Sequence, residues 1–159
     1  MTFFSFIRGY YPKGGGEIQV DVKPSKGFQG VDLTEPGSVS SIRGRAFVAG
    51  VLPIKMAHQM ADAAELELKN SLALSSTSIE IKRYKEKPSD AFGNGSGINI
   101  WAETTTGCIL GSSGLGKRQI QPADVGRKAA QDLVAAIQGP SCVDSYAQDQ
   151  ASCRDYIEI

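Results

Sequence analysis

Several stretches of the 159-residue chain carry side chains able to do chemistry. Tyr146-Ala-Gln-Asp149-Gln150 sets an aromatic ring, a carboxylate and an amide within five residues. The ring offers a stacking face, the carboxylate accepts from hydroxyls or an ammonium, and the amide both donates and accepts. Such a set can hold a nucleotide, but by itself it has little specificity and reads more simply as a polar chain end. Near the start, Arg8, Tyr10, Tyr11 and Lys13 stand beside three successive glycines, Gly14 to Gly16. Charge, stacking faces and open backbone suit contact with phosphate or bases. The same residues also describe an ordinary tight turn with amphipathic aromatics.

Three further features look chemical and read more plainly. Gly111-Ser-Ser-Gly-Leu-Gly-Lys117-Arg118 approaches the phosphate-loop pattern, but Arg118 stands where the magnesium-binding hydroxyl belongs. Gln119 to Gln121 and Pro122 also separate it from the next helix, so a flexible basic turn is expected. His58, the only histidine, falls on a polar helix stripe one turn before Asp62, which predicts a solvated imidazole. Cys108 lies in a predicted strand with no basic neighbour in sequence, as a buried structural thiol would.

The elements that must position these groups follow from hydrophobic periodicity. Ile18, Val20 and Val22 alternate with polar residues, as do Ile79 with Ile81 and Ile98 with Ile100 and Ala102. A further strand is predicted from about Ser38 to Ala49. Cys108 to Leu110 returns as a hairpin partner after the turn at Glu103 to Gly107. After Pro53, residues Ala57, Met60, Ala61, Ala64, Leu68 and Leu72 form one apolar helical stripe. Opposite it, Glu65 and Lys69 make a favourable i,i+4 pair. A second helix begins near Pro122, buries Val125, Ala129, Ala130, Leu133, Ala136 and Ile137, and stops at Gly139-Pro140. Residues 24–38 and Lys85 to Asn94 read as loops. The order β-β-α-β-β-β-α predicts an α+β fold, a sheet with two helices on one face.

Composition narrows the function classes. With 17 basic and 17 acidic residues the formal net charge is zero. Sequence-blind nucleic-acid binding runs on a basic excess, so any RNA contact should be local. Hydrophobic residues at 41% argue for a folded core. Three cysteines without a CxxC imply neither a disulfide framework nor a zinc knuckle and fit a reducing compartment. The apolar opening is too short for a signal peptide. The longest later apolar stretch is broken by Pro53 and Lys55, so no membrane span is expected.

The run Arg8-Gly9-Tyr10-Tyr11-Pro12-Lys13-Gly14-Gly15-Gly16-Glu17 resembles the signature of RNA 3′-terminal phosphate cyclases. Further blocks agree in order: Gly44-Arg-Ala-Phe-Val-Ala-Gly50, Ala91-Phe-Gly-Asn-Gly-Ser-Gly97, Ala102-Glu-Thr-Thr-Thr-Gly-Cys108, Leu115-Gly-Lys-Arg118 and Asp144-Ser-Tyr-Ala-Gln-Asp-Gln150. The likeness covers about residues 8–150. It implies an enzyme of the ligase type that uses ATP and Mg²⁺ or Mn²⁺ to turn an RNA 3′-phosphate end into a 2′,3′-cyclic phosphate. It also implies that a histidine takes AMP as a phosphoramidate, that AMP passes to the RNA phosphate, and that the vicinal 2′-hydroxyl displaces it. Covalent activation of the leaving group is the physical logic.

The same resemblance implies an inserted α+β domain within a larger catalytic α/β domain of βαβ-type repeats. The chain then divides into a catalytic-domain fragment at 1–40, the insert at 41–140, a catalytic-domain return at 141–150 and a divergent tail at 151–159. Tyr146, Asp149 and Gln150 would contact the adenylate. The family's nucleophilic histidine lies downstream of that element, and no residue here is matched to it or to a metal. Met1 to Phe6 does not resemble the family's lead-in strand. A partial chain, inactive alone, is therefore expected, with residues 1–37 aggregating or flanking as disorder because the strand near 17–23 would expose unpaired edges. RNA 3′-phosphate ends and ATP are the implied partners, with no membrane, and the nucleoplasm or cytoplasm the implied location. The alternative is a non-enzymatic protein, either a cyclase-like ribosome-biogenesis factor or a module binding RNA or protein.

Overall fold

The structure is a computed structural model that describes residues 2–24, 27, 33–72 and 77–152. In chain order it contains β1 (Thr2–Gly9), β2 (Glu17–Asp21), β3 (Val39–Ala49), α1 (Lys55–Ser71), β4 (Ser78–Lys85), β5 (Ala91–Phe92), β6 (Gly95–Thr104), β7 (Ile109–Leu115), α2 (Pro122–Gln138) and α3 (Ser145–Ser152). Two sheets result. One is four-stranded, in the order β4-β3-β6-β7, and the other is β2-β1-β5. From β3 to α2 the larger sheet follows the expected β-α-β-β-β-α course, interrupted only by the two residues of β5.

Strand alternation makes the larger sheet two-sided. Ile42, Ala46 and Val48 of β3, Ile81 of β4, Ile98 and Ile100 of β6, and Leu110 of β7 enter one core. Ala57, Met60, Ala61, Ala64 and Leu68 of α1 and Val125, Ala129, Ala130 and Leu133 of α2 close over them. Burying each large aliphatic side chain stabilises the fold by about 1.5–3 kcal/mol. Of the expected helical stripes, Leu72, Ala136 and Ile137 are only partly buried. The two helices touch most closely at Gly126. A Cβ there would lie 2.0 Å from the Met60 carbonyl oxygen.

The helix ends have local causes. Pro122 opens α2 at its first turn and Asp124 follows, the charge favoured at a helix N-terminus. Gly139 closes α2 in an extended conformation, its N–H donating to Ala135, and Pro140 cannot continue the helix. On α1 the expected Glu65–Lys69 pairing is replaced by a different one. Glu65 accepts from Arg83 of β4 at 2.9 Å, and Asp62 accepts from the same nitrogen at 2.8 Å. Arg83 Nη1 donates meanwhile to Ile81 O at 2.9 Å, so one guanidinium ties α1 to β4.

Three sequence expectations are corrected. Residues 2–9 form β1, paired antiparallel with β2, where no strand was expected. The flank expected to be disordered therefore has sheet structure over 2–9 and 17–21, although Ile18 and Val22 remain exposed. Gly111 to Leu115 continues β7 where a flexible turn was expected, because Gly111 and Gly114 lie under close neighbours. A Cβ on Gly114 would meet Val125 Cγ1 at 2.8 Å. Within the loop expected at 85–94, β5 pairs parallel with β1, Arg8 against Ala91 and Gly9 against Phe92. The tail at 153–159 and most of the connector at 25–32 lie outside the described residues.

Candidate functional site

The aromatic and basic residues of the glycine-rich signature divide into two sets. Arg8 forms an ion pair with Glu86, whose side chain is almost fully buried. Tyr10 leans on Phe47, ring centroids 6.2 Å apart, and Phe47 on Tyr84 at the same distance. Gly95 and Gly97 provide the floor for these rings. A Cβ on Gly95 would stand 2.1 Å from Tyr10 Cδ1, and one on Gly97 would stand 3.0 Å from Phe47 Cζ. Burial, reinforced by the Glu86 charge, raises the pKa of both Tyr10 and Tyr84 above 10.0. Arg8 and Tyr10 thus hold the small sheet to the end of the larger one. Tyr11 is 93% exposed, and Lys13 places its ammonium 5.6 Å from the centroid of the Phe92 ring.

The motif blocks meet in space for the same reason. Tyr10 N–H donates to Phe92 O, and Gly14 N–H donates back to Tyr10 O. Gly14 and Gly15 have φ of 63° and 75°, the left-handed region that glycine enters without strain. Gly50, at φ 67°, leaves room for Asn94, whose Oδ1 accepts from Val51 N–H at 3.0 Å.

The Tyr146 segment lies elsewhere, against the edge strand β7. Asp144 is its anchor. Its Oδ1 accepts from the backbone N–H groups of Tyr146 at 3.0 Å and Ala147 at 2.9 Å, capping α3. Its Oδ2 accepts from Gly111 N–H of β7 at 2.8 Å. Tyr146 is 62% exposed and borders two cavities. One, of 380 Å³, runs between α2 and α3. The other, of 360 Å³, lies between Tyr146 and Trp101 over Gly111, Ser112 and Ser113. Asp149 and Gln150 follow on α3 three and four residues after Tyr146. Their side chains lie outside the described residues.

The remaining candidates separate from this place. The phosphate-loop look-alike is strand through Leu115, and α2 begins only at Pro122, so no helix N-terminus follows the glycines. His58 is exposed on α1. Cys108 is buried, its Sγ 3.6 Å from Thr106 Oγ1. That hydrogen bond lowers its pKa against the opposing effect of burial, while burial raises the pKa of the neighbouring Cys142 thiol. Among the described residues no group of three or more His, Cys, Asp or Glu side chains is placed to hold a metal ion. None of their helices is long and apolar enough to cross a membrane.

Sequence reasoning missed Glu86 and, though Asp144 stood in a recognised block, its bond to Gly111, because these partners are distant in the chain. It also passed over Trp101, Arg45 and Lys82, which strand alternation alone places on one face.

Residues 34–138 match the family model of the RNA 3′-terminal phosphate cyclase (RTC), insert domain. The chain belongs to the RNA 3′-terminal phosphate cyclase family. It is 38% identical over 142 residues to a protein of Caldivirga maquilingensis named RNA 3′-terminal phosphate cyclase, covering 89% of this chain and 39% of that one. A protein of the same name from Drosophila melanogaster is 37% identical over 143 residues, with the same coverage. One from Pyrobaculum aerophilum is 35% identical over 144 residues, covering 91% of this chain and 39% of its own length. The chain thus spans about two fifths of the curated relatives it matches.

Proposed function

We propose that this chain supplies the insert and the adenylate-contact segment of an ATP-dependent RNA 3′-terminal phosphate cyclase. The observation that carries the reading is Tyr146, held on a capped helix beside a 380 Å³ cavity, in a chain of this family. The substrate is an RNA 3′-phosphate end, in the nucleoplasm or cytoplasm. Activation transfers AMP from ATP, whose α–β bond breaks to release pyrophosphate, onto an oxygen of the 3′-phosphate as a phosphoanhydride. The 2′-hydroxyl oxygen then bonds to that phosphorus, its proton leaves to solvent or a base, and AMP departs with the anhydride electrons. This chain's part is positional. Tyr146, with Asp149 and Gln150 behind it on α3, holds the adenylate.

The 159-residue chain by itself forms no AMP–histidine adduct. Its one histidine, His58, lies on the outer side of α1, across the sheet from the cleft between Tyr146 and Trp101. Incubation with ATP labelled at the α-phosphate and Mg²⁺ or Mn²⁺ should leave the polypeptide unlabelled. An acid-labile AMP adduct would refute this. The family activity is tested by placing residues 8–150 into the matching part of the Caldivirga maquilingensis relative. The chimera should cyclise a 3′-phosphorylated RNA, and Tyr146→Ala should raise its KM for ATP. A folded chimera without cyclase activity overturns the reading.

A further inference from the structure

Helices cover one face of the four-stranded sheet, and the other face is open except at the end where Tyr10 lies across Gly95 and Phe47. Register fixes what stands on it. One row across the strands reads Lys82, Arg45, Asn99, Ser113, and the next reads Glu80, Arg43, Trp101, Gly111. The charges of the second row are balanced, since Arg43 donates to Glu103 at 3.3 Å and Glu80 is its cross-strand partner. The first row is not. Arg45 and Lys82 are direct cross-strand partners, both exposed, and among the described residues neither forms an ion pair. β3 and β4 run parallel, so the two cations are neighbours on one face with no carboxylate paired to either among the described residues.

The rest of the face suits a nucleotide. Trp101 is half-buried, with one side toward the 360 Å³ cleft beneath Tyr146. Its indole N–H donates to Glu103 at 3.4 Å, which fixes the plane of the ring. Asn99 and Ser113 offer an amide and a hydroxyl between the ring and the cations. One row along the strand and one strand across put Trp101 about 8 Å from Arg45, the span of a single nucleotide. An apolar protein partner is less well served. Ile109 and Leu115, the exposed aliphatic residues of β7, are six residues apart, about 20 Å, with Gly111 and Ser113 between them.

We propose that this open face binds single-stranded RNA, with phosphates over Arg45 and Lys82 and a base stacked on Trp101. The choice of RNA as ligand rests on the cyclase reading, whereas the face and its residues do not. Bases stack on aromatic rings without strong sequence preference, and cations beside the rings follow the backbone. The face would hold the strand leading to the 3′ end while the adenylate segment works beside it.

Trp101 is the only tryptophan, so the intrinsic fluorescence of the chain reports on this face directly. Titration with hexauridylate should quench it saturably. Neutralising two phosphates of a single strand gives a slope of about −1.4 in log K against log salt, roughly 25-fold weaker binding for tenfold more salt. Arg45→Glu with Lys82→Glu should weaken binding at least tenfold and flatten that slope, with circular dichroism unchanged. Trp101→Phe should keep binding and Trp101→Ala lose it, read by anisotropy of a fluorescein-labelled oligonucleotide. No saturable quenching, binding that survives the double charge reversal, equal affinity for duplex RNA, or Trp101 already covered in a self-associated chain would each overturn the proposal. If the chain fails to bind RNA while the chimera cyclises it, the face assignment falls and the cyclase reading stands. Binding by the chain with an inactive chimera is the reverse case.

Discussion

Asp144 is the point at which the larger sheet holds the Tyr146 segment, and its removal has a calculable effect. Asp144→Ala deletes three acceptor contacts, two to the first turn of α3 and one to the outward N–H of Gly111 on the edge strand. Loss of an N-cap costs about 1 kcal/mol. A hydrogen bond to a carboxylate is worth about 1.5–3 kcal/mol, and the lower figure applies because Gly111 N–H regains water at an open edge. The sum is about 2.5 kcal/mol, more than an eight-residue helix holds by itself. Expressed as opening, it is about 60-fold at 1.4 kcal/mol per decade. Amide hydrogen exchange resolved by residue should show Gly111, Tyr146 and Ala147 exchanging tens of times faster, with Ile100 and Leu133 in the core unchanged. Asp144→Asn keeps a good cap and should restore most protection at Tyr146 but less at Gly111. Unchanged exchange at Gly111 in the alanine variant would refute the clip, and with it the claim that the sheet holds Tyr146 in place.

Gly126→Ala sets helix propensity against packing. Propensity favours alanine by about 1 kcal/mol, but its Cβ would meet backbone of α1, which cannot move aside as a side chain can. A net loss of about 2–3 kcal/mol is expected in denaturant titration, and a gain would show that α1 and α2 lie farther apart. Glu86→Gln removes the partner of Arg8 and should cost about 2 kcal/mol, seen as a lower melting temperature. High pH probes the same corner. The folded pKa values of Tyr10 and Tyr84 are raised, by burial first and then by Glu86, so the stability they confer is complete below pH 10 and is lost as pH climbs through the folded values. Absorbance near 295 nm should show Tyr10 and Tyr84 ionising above pH 10, and Glu86→Gln should bring them earlier.

Much of the larger sheet is legible from period alone. The stripes of α1 and α2 and the alternation in β3, β4 and β6 are set by burial on one face, which a single sequence displays. What is not legible depends on partners far along the chain. Gly111 and Gly114 look like turn residues until Asp144 and Val125 are seen above them. β5 is two residues long and exists because β1 lies beside it. β1 itself opens with a short apolar run that carries no alternation to read. At the candidate site, Tyr146 is legible through the motif around it. The charge of Arg45 beside Lys82 is not, because only the β3–β4 register makes them neighbours.

The glycine-rich signature and Tyr146 therefore sit in different places. The glycine-rich signature looks like a ligand loop, yet Gly9 and Gly16 are glycines because their backbones touch, a Cβ on Gly9 standing 2.4 Å from Gly16 N. Gly95 and Gly97 are bare so that Tyr10 and Phe47 can lie across them. Arg8, the signature's first cation, is engaged by Glu86. These residues fasten the small sheet to the large one, and any substitution among them acts on that joint. Tyr146 depends on a second joint, through Asp144, on the edge strand β7 of the same sheet. A defect at Glu86 should therefore lower global stability while leaving exchange at Gly111 intact, and a defect at Asp144 should do the converse. If the two variants proved interchangeable in both readouts, the separation of fastening from function would be wrong.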